Sequence, residues 1–354
     1  MDKKKFFTDV FGLSQGEVVC VLSDFPKQQS DDSPAWKEIR SMAQEWHQTF
    51  GELGKESGFK VFPLFLFPST HVNGGELPLD YTVDGATLDC VLSQSTLAVA
   101  LTQFSASAAL GSRTLAQNDF RVASLPGVAR RMERTALAAD YSVVHQRSRI
   151  LGELFNDAIG GEVQFATGHE CYFDLRFRKA FCDDGQLPRN KKGFRLINLP
   201  SGETCITPYE GERPNTPSLT QGQIPAEFDG EILVLDVEAN RIRKVTGPHS
   251  IAQKWQHFFD EDEARTNIAE FAFGCNPKAV VWGNILEDEK AGFHWAFGRS
   301  DHLGGTMKAS DFRKNAIHED KVYAKGSKIG LKQVLLKKQT ETIDVIKESN
   351  YVCF

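Results

Sequence analysis

The chain has 354 residues, and 41 Lys and Arg against 47 Asp and Glu give a formal charge of −6. This length predicts about two domains, each able to bury a core, and 41% hydrophobic with 25% charged residues excludes a fibrous or disordered chain. The mild acidity gives no electrostatic reason for a nucleic-acid or anionic-membrane partner, and no apolar run approaches the ~20 residues of a membrane span.

The start, Met1-Asp2-Lys3-Lys4-Lys5-Phe6-Phe7, is charged and lacks the apolar core of a signal peptide, so a soluble, cytoplasmic protein is expected. Gly16 to Leu22 reads as a buried strand. Pro34 to Gly58 reads as a helix, with Trp36, Ile39, Met42, Ala43, Trp46 and Phe50 near 3.6-residue spacing. Lys60 to Phe67 is a second strand weakened by Pro63. Leu97 to Gln103 and Phe120 to Leu125 are further strands, with a helix starting at Ser105 and a helical pattern over Val128 to Ala158. Strand alternating with helix predicts an open parallel α/β sheet. No glycine-rich phosphate loop follows any of these strands, which argues against a nucleotide.

After Gly160 the texture becomes β-rich. Short alternating runs (Glu162 to Ala166, Cys171 to Phe177, Phe194 to Asn198, Glu231 to Val237, Asn240 to Val245) are interrupted by one helix, Ser250 to Asp262. The expected architecture is α/β: an N-terminal open parallel α/β sheet domain over 1–160, then a β-rich α+β domain over 161–354. The last residues read as a strand and a polar tail. The seven cysteines show no CxxC pairing. Neither a thiolate metal site nor a disulfide framework is implied, so a metal here would be held by nitrogen and oxygen.

Several polar residues stand out on strand-like segments of the second half. His318 and Asp320, two apart, would share one face of a strand and could converge on a metal. In Phe293-His294-Trp295-Ala296-Phe297, packing of the aromatics sends His294 to the other side. Glu270 is a lone carboxylate in Ile268-Ala269-Glu270-Phe271-Ala272-Phe273, and burying it unpaired would cost several kcal/mol. Glu203 follows the turn Leu199-Pro200-Ser201-Gly202. Taken singly, His294 and Glu270 read first as hydrogen-bonded or ion-paired structural residues, and His318-x-Asp320 as a solvated face. His169-Glu170 point to opposite faces, Asp174 and Arg176 suit an ion pair, and Glu287-Asp288-Glu289-Lys290 reads as a solvated turn.

Five of these positions recur together. Glu203 in NLPSGETCITP, Glu270 in AEFAFGCNP, His294 in NILEDEKAGFHWAFG, and His318 and Asp320 in AIHED resemble, in this order, the signature of the metallo-aminopeptidases of the aminopeptidase T type. The intervals run 67, 24, 24 and 2 residues. The resemblance implies that 161–354 is the metal-binding domain and that these residues are ligands of a two-metal site (Zn, Co, Mn or Fe) in a homodimeric hydrolase acting on a short peptide or small molecule near a free amino terminus. The family keeps a glutamate at the Glu289 position, which implies a general-base role there.

The chain departs from the family where a catalytic tyrosine is expected, about seven residues after His294. Here the sequence is Gly298-Arg299-Ser300-Asp301-His302, so Asp301 or His302 would take that place as proton carrier or extra ligand. The scaffold also resembles the 2,5-dihydroxypyridine dioxygenases, which retain the His-x-Asp pair around a single Fe(II). That resemblance implies the alternative, a non-haem iron oxygenase acting on an aromatic or amino-acid-derived small molecule. Those enzymes lack the Glu203 and His294 equivalents, whereas this chain has both.

Overall fold

The structure is a computed structural model and describes residues 1–310 and 317–354. It divides into two compact units. The first comprises Met1–His145, Gly185–Ser201 and Asn276–Val280; the second comprises Gln146–Asp184, Gly202–Cys275 and Val281–Phe354. The division differs from a single cut near residue 160, because two later segments belong to the first unit. No helix among the described residues is long and apolar enough to cross a membrane.

The first unit is built on a parallel sheet. Its strands run in the order Leu196–Asn198, Arg121–Pro126, Leu97–Thr102, Val18–Phe25, with Lys60–Val61 and Phe65–Pro68 both pairing onto Val18–Phe25. The single strand expected over Lys60 to Phe67 is thus broken around Pro63, which has no N–H for the ladder. The helix Pro34–Ser57 forms as its sequence dictates. The Ser33 side chain caps Trp36 N–H, Pro34 starts the first turn, and Gly58 ends the helix at φ 75°. Its apolar stripe meets the first helix, Lys3–Phe11, where the Phe7 and Phe50 rings stack at 4.0 Å.

Two readings change here. Val128 to Ala158 is not one helix but two 3-10 turns followed by the helix Tyr141–Phe155. Asp140 accepts hydrogen bonds from Ser142 N and Ser142 Oγ and sets the helix start. The short run ending at Asn198 joins the parallel sheet beside Arg121–Pro126 rather than the β-rich part, since parallel pairing with a distant strand satisfies its backbone there.

Among the described residues, the second unit has two antiparallel sheets. One has five strands: Phe181–Asp183, Glu203–Ile206, Ile268–Gly274, Phe293–Gly298 and His318–Tyr323. The other has eight: Arg241–Thr246, Glu231–Glu238, Gln221–Phe228, Glu170–Asp174, Gly160–Phe165, Leu331–Lys337, Thr342–Lys347 and Asn350–Tyr351. The chain's end is therefore sheet, not a polar tail, and Tyr351 Oη donates to Gly274 O. A single core includes Phe271, Phe273, Phe293, Trp295 and Phe297 from the five-stranded sheet and Val163, Phe165, Phe173, Leu235 and Val334 from the other. Phe173 meets Phe271 at 5.0 Å, and Phe165 meets Tyr323 at 5.2 Å. Each such side chain contributes roughly 1.5–3 kcal/mol on burial.

Candidate metal centre

The core fixes the site by alternation. With Phe271, Phe273, Phe293, Trp295 and Phe297 facing inward, period two sends Glu270 and His294 to the other face. Register then lines up the neighbours. Ala296 lies opposite both Glu270 and Asp320, His294 opposite Ala272, His318 opposite Gly298, and Glu203 opposite Gly274. The five candidate ligands thus share one face of four adjacent strands. Ala272, Gly274, Ala296 and Gly298 stand between them and keep that face open.

Two glycines permit close approaches. A Cβ on Gly298, at φ 117°, would lie 2.1 Å from Ile317 O, directly before His318. A Cβ on Gly274 would lie 2.1 Å from Glu289 O, so its absence lets the Glu289–Lys290 segment pass close to the sheet.

Glu270 sits between the two histidines. Its Oε1 is 3.8 Å from His294 Nε2, and its Oε2 is 2.9 Å from His318 Nε2. His294 Nε2 also lies 3.7 Å from Glu203 Oε2, and His318 Nε2 3.8 Å from Asp320 Oδ1. Each histidine uses its other nitrogen on a backbone carbonyl, His294 Nδ1 on Gly292 O at 3.2 Å and His318 Nδ1 on Arg299 O at 2.9 Å. A carbonyl can only accept, so Nδ1 carries the proton in both rings and Nε2 faces the carboxylates. That is the usual arrangement of a metal-binding histidine.

The electrostatics fit a cation. Burial alone would raise the Glu270 carboxyl, yet the His318 hydrogen bond and the charges of His318 and His294 hold it at about 2. Burial would likewise lower His318, but Glu270 and Asp320 raise it to about 10. Asp320 is pushed up by burial and, against His318, by the neighbouring Glu270 and Glu203 carboxylates. One ligand atom each from Glu270, His318 and Asp320 lie within 4.8 Å of one another. A tetrahedral ion at 2.0–2.2 Å would hold its donors about 3.3–3.6 Å apart, so binding would draw the trio together by up to about an ångström. Cys205, on the same face, is a neutral neighbour: burial first, then Glu270 and Glu203, push its thiol well above the ordinary range.

The run Glu287-Asp288-Glu289-Lys290 corrects the reading of a solvated turn. Glu287, Asp288 and Lys290 are buried. Asp288 accepts from Trp282 N and Gly283 N, and Glu287 accepts from the Trp282 indole at 2.7 Å. Lys290, which the sequence did not mark as part of the site, puts Nζ 2.8 Å from Glu203 Oε1 and 2.6 Å from Glu289 Oε1. The only local signal was its position as the one cation in a carboxylate run leading into an aromatic strand. Burial, then Glu203 and Asp320, push the Glu289 carboxyl well above its usual range, against the Lys290 charge.

At the expected tyrosine position, Asp301 is taken up by Arg299, whose Nε donates to Oδ1 at 2.8 Å. His302 stands edge-on to His318 with ring centroids 4.9 Å apart. Burial and the His318 charge lower its pKa to about 4, so the ring is neutral near pH 7. The structural readings of the other motifs hold. Asp174 pairs with Arg176 at 2.8 and 2.6 Å, and His169 meets Thr167 Oγ1 at 2.9 Å.

No family model matches the chain, and no curated protein matches it. Among solved structures it is similar to 2,5-dihydroxypyridine dioxygenase from Pseudomonas putida KT2440, with a TM-score of 0.67 at 15% identity over 99% of this chain and 96% of that one. It is also similar to AmpT (aminopeptidase T) from Thermus thermophilus, with a TM-score of 0.57 at 15% identity over 99% and 98% of the two chains. Both scaffolds named by the sequence motifs are thus fold relatives, and the mixed parallel and antiparallel α/β architecture is theirs as well.

Proposed function

We propose that the second unit is the catalytic domain of a metal-dependent hydrolase that cleaves an amide bond beside a free amino terminus. The carrying observation is Glu270, with one carboxylate oxygen toward each histidine, the position of a bridging ligand. Glu203, Glu270 and His294 would hold one divalent ion, and Glu270, His318 and Asp320 a second. Ions bound there supply an activated water and polarise a carbonyl. Glu289 is the group that takes up and returns a proton, since a carboxyl held above its usual range works nearer neutral pH. Lys290 holds Glu289 and Glu203 apart and in position through its two ion pairs. Asp301, already committed to Arg299, orients the chain after the Phe293–Gly298 strand, and His302, a neutral ring, is an extra ligand at the edge of the site rather than a proton carrier. A homodimer and a short-peptide or small-molecule substrate belong to the same reading.

A second reading, a mononuclear iron oxygenase, draws support from His302. With His318 and one carboxylate it would make two histidines and one acid, the set that suits iron and oxygen. The compact trio Glu270, His318 and Asp320 instead has one histidine and two acids, which favours the hydrolase. The test offers amino-acyl p-nitroanilides and their N-acetylated forms to protein reconstituted with Co2+ or Zn2+. Hydrolysis of the free-amine compounds alone, abolished by chelation, supports the proposal. Oxygen uptake with one iron per chain and no hydrolysis would replace it with the second reading.

A further inference from the structure

The geometry points to Glu210 as a positioning residue that sets the orientation of His318 through the loop from Arg299 to Thr306. The inference rests on the metal-site reading above. Glu210 is buried, and its side chain is only 2% exposed. Its Oε1 accepts from Ser300 Oγ and from Asn267 Nδ2 at 3.0 Å. Its Oε2 accepts from Thr306 N at 2.6 Å, Thr306 Oγ1 at 2.7 Å and Arg178 at 3.4 Å. Every partner is a donor, which suits a carboxylate, acceptor-only on both oxygens, and would leave a side-chain amide with an N–H facing a donor.

These donors define the loop that carries the site's outer contacts. Asn267 Nδ2 also donates to Gly298 O at 3.0 Å, fixing the loop where it leaves its strand. Ser300 Oγ accepts from Met307 N at 3.2 Å, and Ser300 O accepts from Leu303 N and Gly305 N at 2.9 and 3.0 Å. The loop is closed on itself, with Glu210 as the anion at its base. Immediately before Ser300 lies the Arg299 carbonyl that accepts the His318 Nδ1 proton, and immediately after it come Asp301 and His302. Among the described residues, the hydrogen bonds of the Glu210 carboxylate go to Ser300, Asn267, Thr306 and Arg178 and not to a candidate ligand. Glu210 acts by holding the carbonyl that holds the imidazole, a kind of contact whose loss typically weakens metal binding 10–100-fold.

Glu210→Gln is the test, because it keeps shape but turns an N–H toward the Thr306 or Ser300 donors. In the metal-free wild type, the His318 Nδ1 proton on Arg299 O is expected to be protected and shifted downfield in the nitrogen-edited NMR spectrum. In Glu210→Gln that resonance is lost to exchange, and Co2+ affinity, followed by the visible spectrum, falls about 10–100-fold. A retained Nδ1 resonance overturns the inference, and so does an unchanged Co2+ affinity. A wild type that binds no Co2+ removes the metal reading, while the Nδ1 resonance still decides whether Glu210 positions His318. Should Glu210→Gln fail to fold by circular dichroism, Ser300→Ala removes one donor and is expected to weaken Co2+ binding about five-fold.

Discussion

Glu270 and Lys290 divide the charge of the site between them. Glu270 faces the two histidines, with Oε2 2.9 Å from His318 Nε2, while Lys290 Nζ lies 2.8 Å from Glu203 and 2.6 Å from Glu289. Lys290 thus holds Glu289 and one oxygen of Glu203, while the other Glu203 oxygen and both Glu270 oxygens face the histidines, where an external cation would suit them.

Removing Lys290 exposes this division. Lys290→Met leaves Glu203 and Glu289 facing each other without a cation, and losing one partner of a buried ion pair costs about 3–5 kcal/mol. Urea unfolding of the metal-free variant is expected to show that loss, with part of it restored by added Co2+. Unchanged stability would mean the two carboxylates do not depend on Lys290.

Glu289→Gln separates chemistry from binding. The variant is expected to keep its metal content, because Glu289 is held by Lys290 and is not among the five candidate ligands. Its kcat should fall about 10²–10⁴-fold, the usual contribution of a proton-transfer group. Metal analysis beside steady-state kinetics checks both halves, and full activity would remove Glu289 from the mechanism.

Gly298→Ala tests the close packing of the His318 strand. Its Cβ would fall 2.1 Å from Ile317 O at a φ of 117°, and both strain and clash act in the folded state. A loss of about 2 kcal/mol or more is expected by urea unfolding, with weaker Co2+ binding because His318 pairs with residue 298. Wild-type stability and affinity would contradict the strand register.

Acid sensitivity follows from Glu210. Burial would raise its carboxyl, but hydrogen bonds from Ser300, Thr306 and Asn267 hold it below the ordinary 4.5. A carboxyl depressed by folding contributes stability above its unfolded value and loses it as pH falls through the folded one. The gap in urea midpoint between wild type and Glu210→Gln should therefore be full above pH 4.5 and shrink below it. A gap unchanged from well above to about one unit below the unfolded glutamate pKa of about 4.3 would show that the Glu210 charge is not used.

Much of the site was legible because period two is a strong local signal. An aromatic on every other residue of Phe293 to Phe297 leaves His294 no side but the far one, and Phe271 and Phe273 do the same for Glu270, although Ile268 joins the core only through a register shift before Glu270. What escaped depends on distant partners. Nothing within Leu196–Asn198 says that it will pair with Arg121–Pro126. The run 287–290 has the composition of a solvated turn, and only the approach of Glu203 and the absent side chain of Gly274 explain its burial. Glu210, in Tyr209-Glu210-Gly211-Glu212, looks like a turn residue until the loop around Ser300 closes on it.

The most direct test is metal content, measured by mass spectrometry on wild type and Glu270→Ala purified without added metal and then loaded with Co2+. A bridging Glu270 predicts two ions per chain in the wild type and loss of both in Glu270→Ala, with the variant still folded. A single iron in the wild type, or full loading of Glu270→Ala, would contradict the two-ion site.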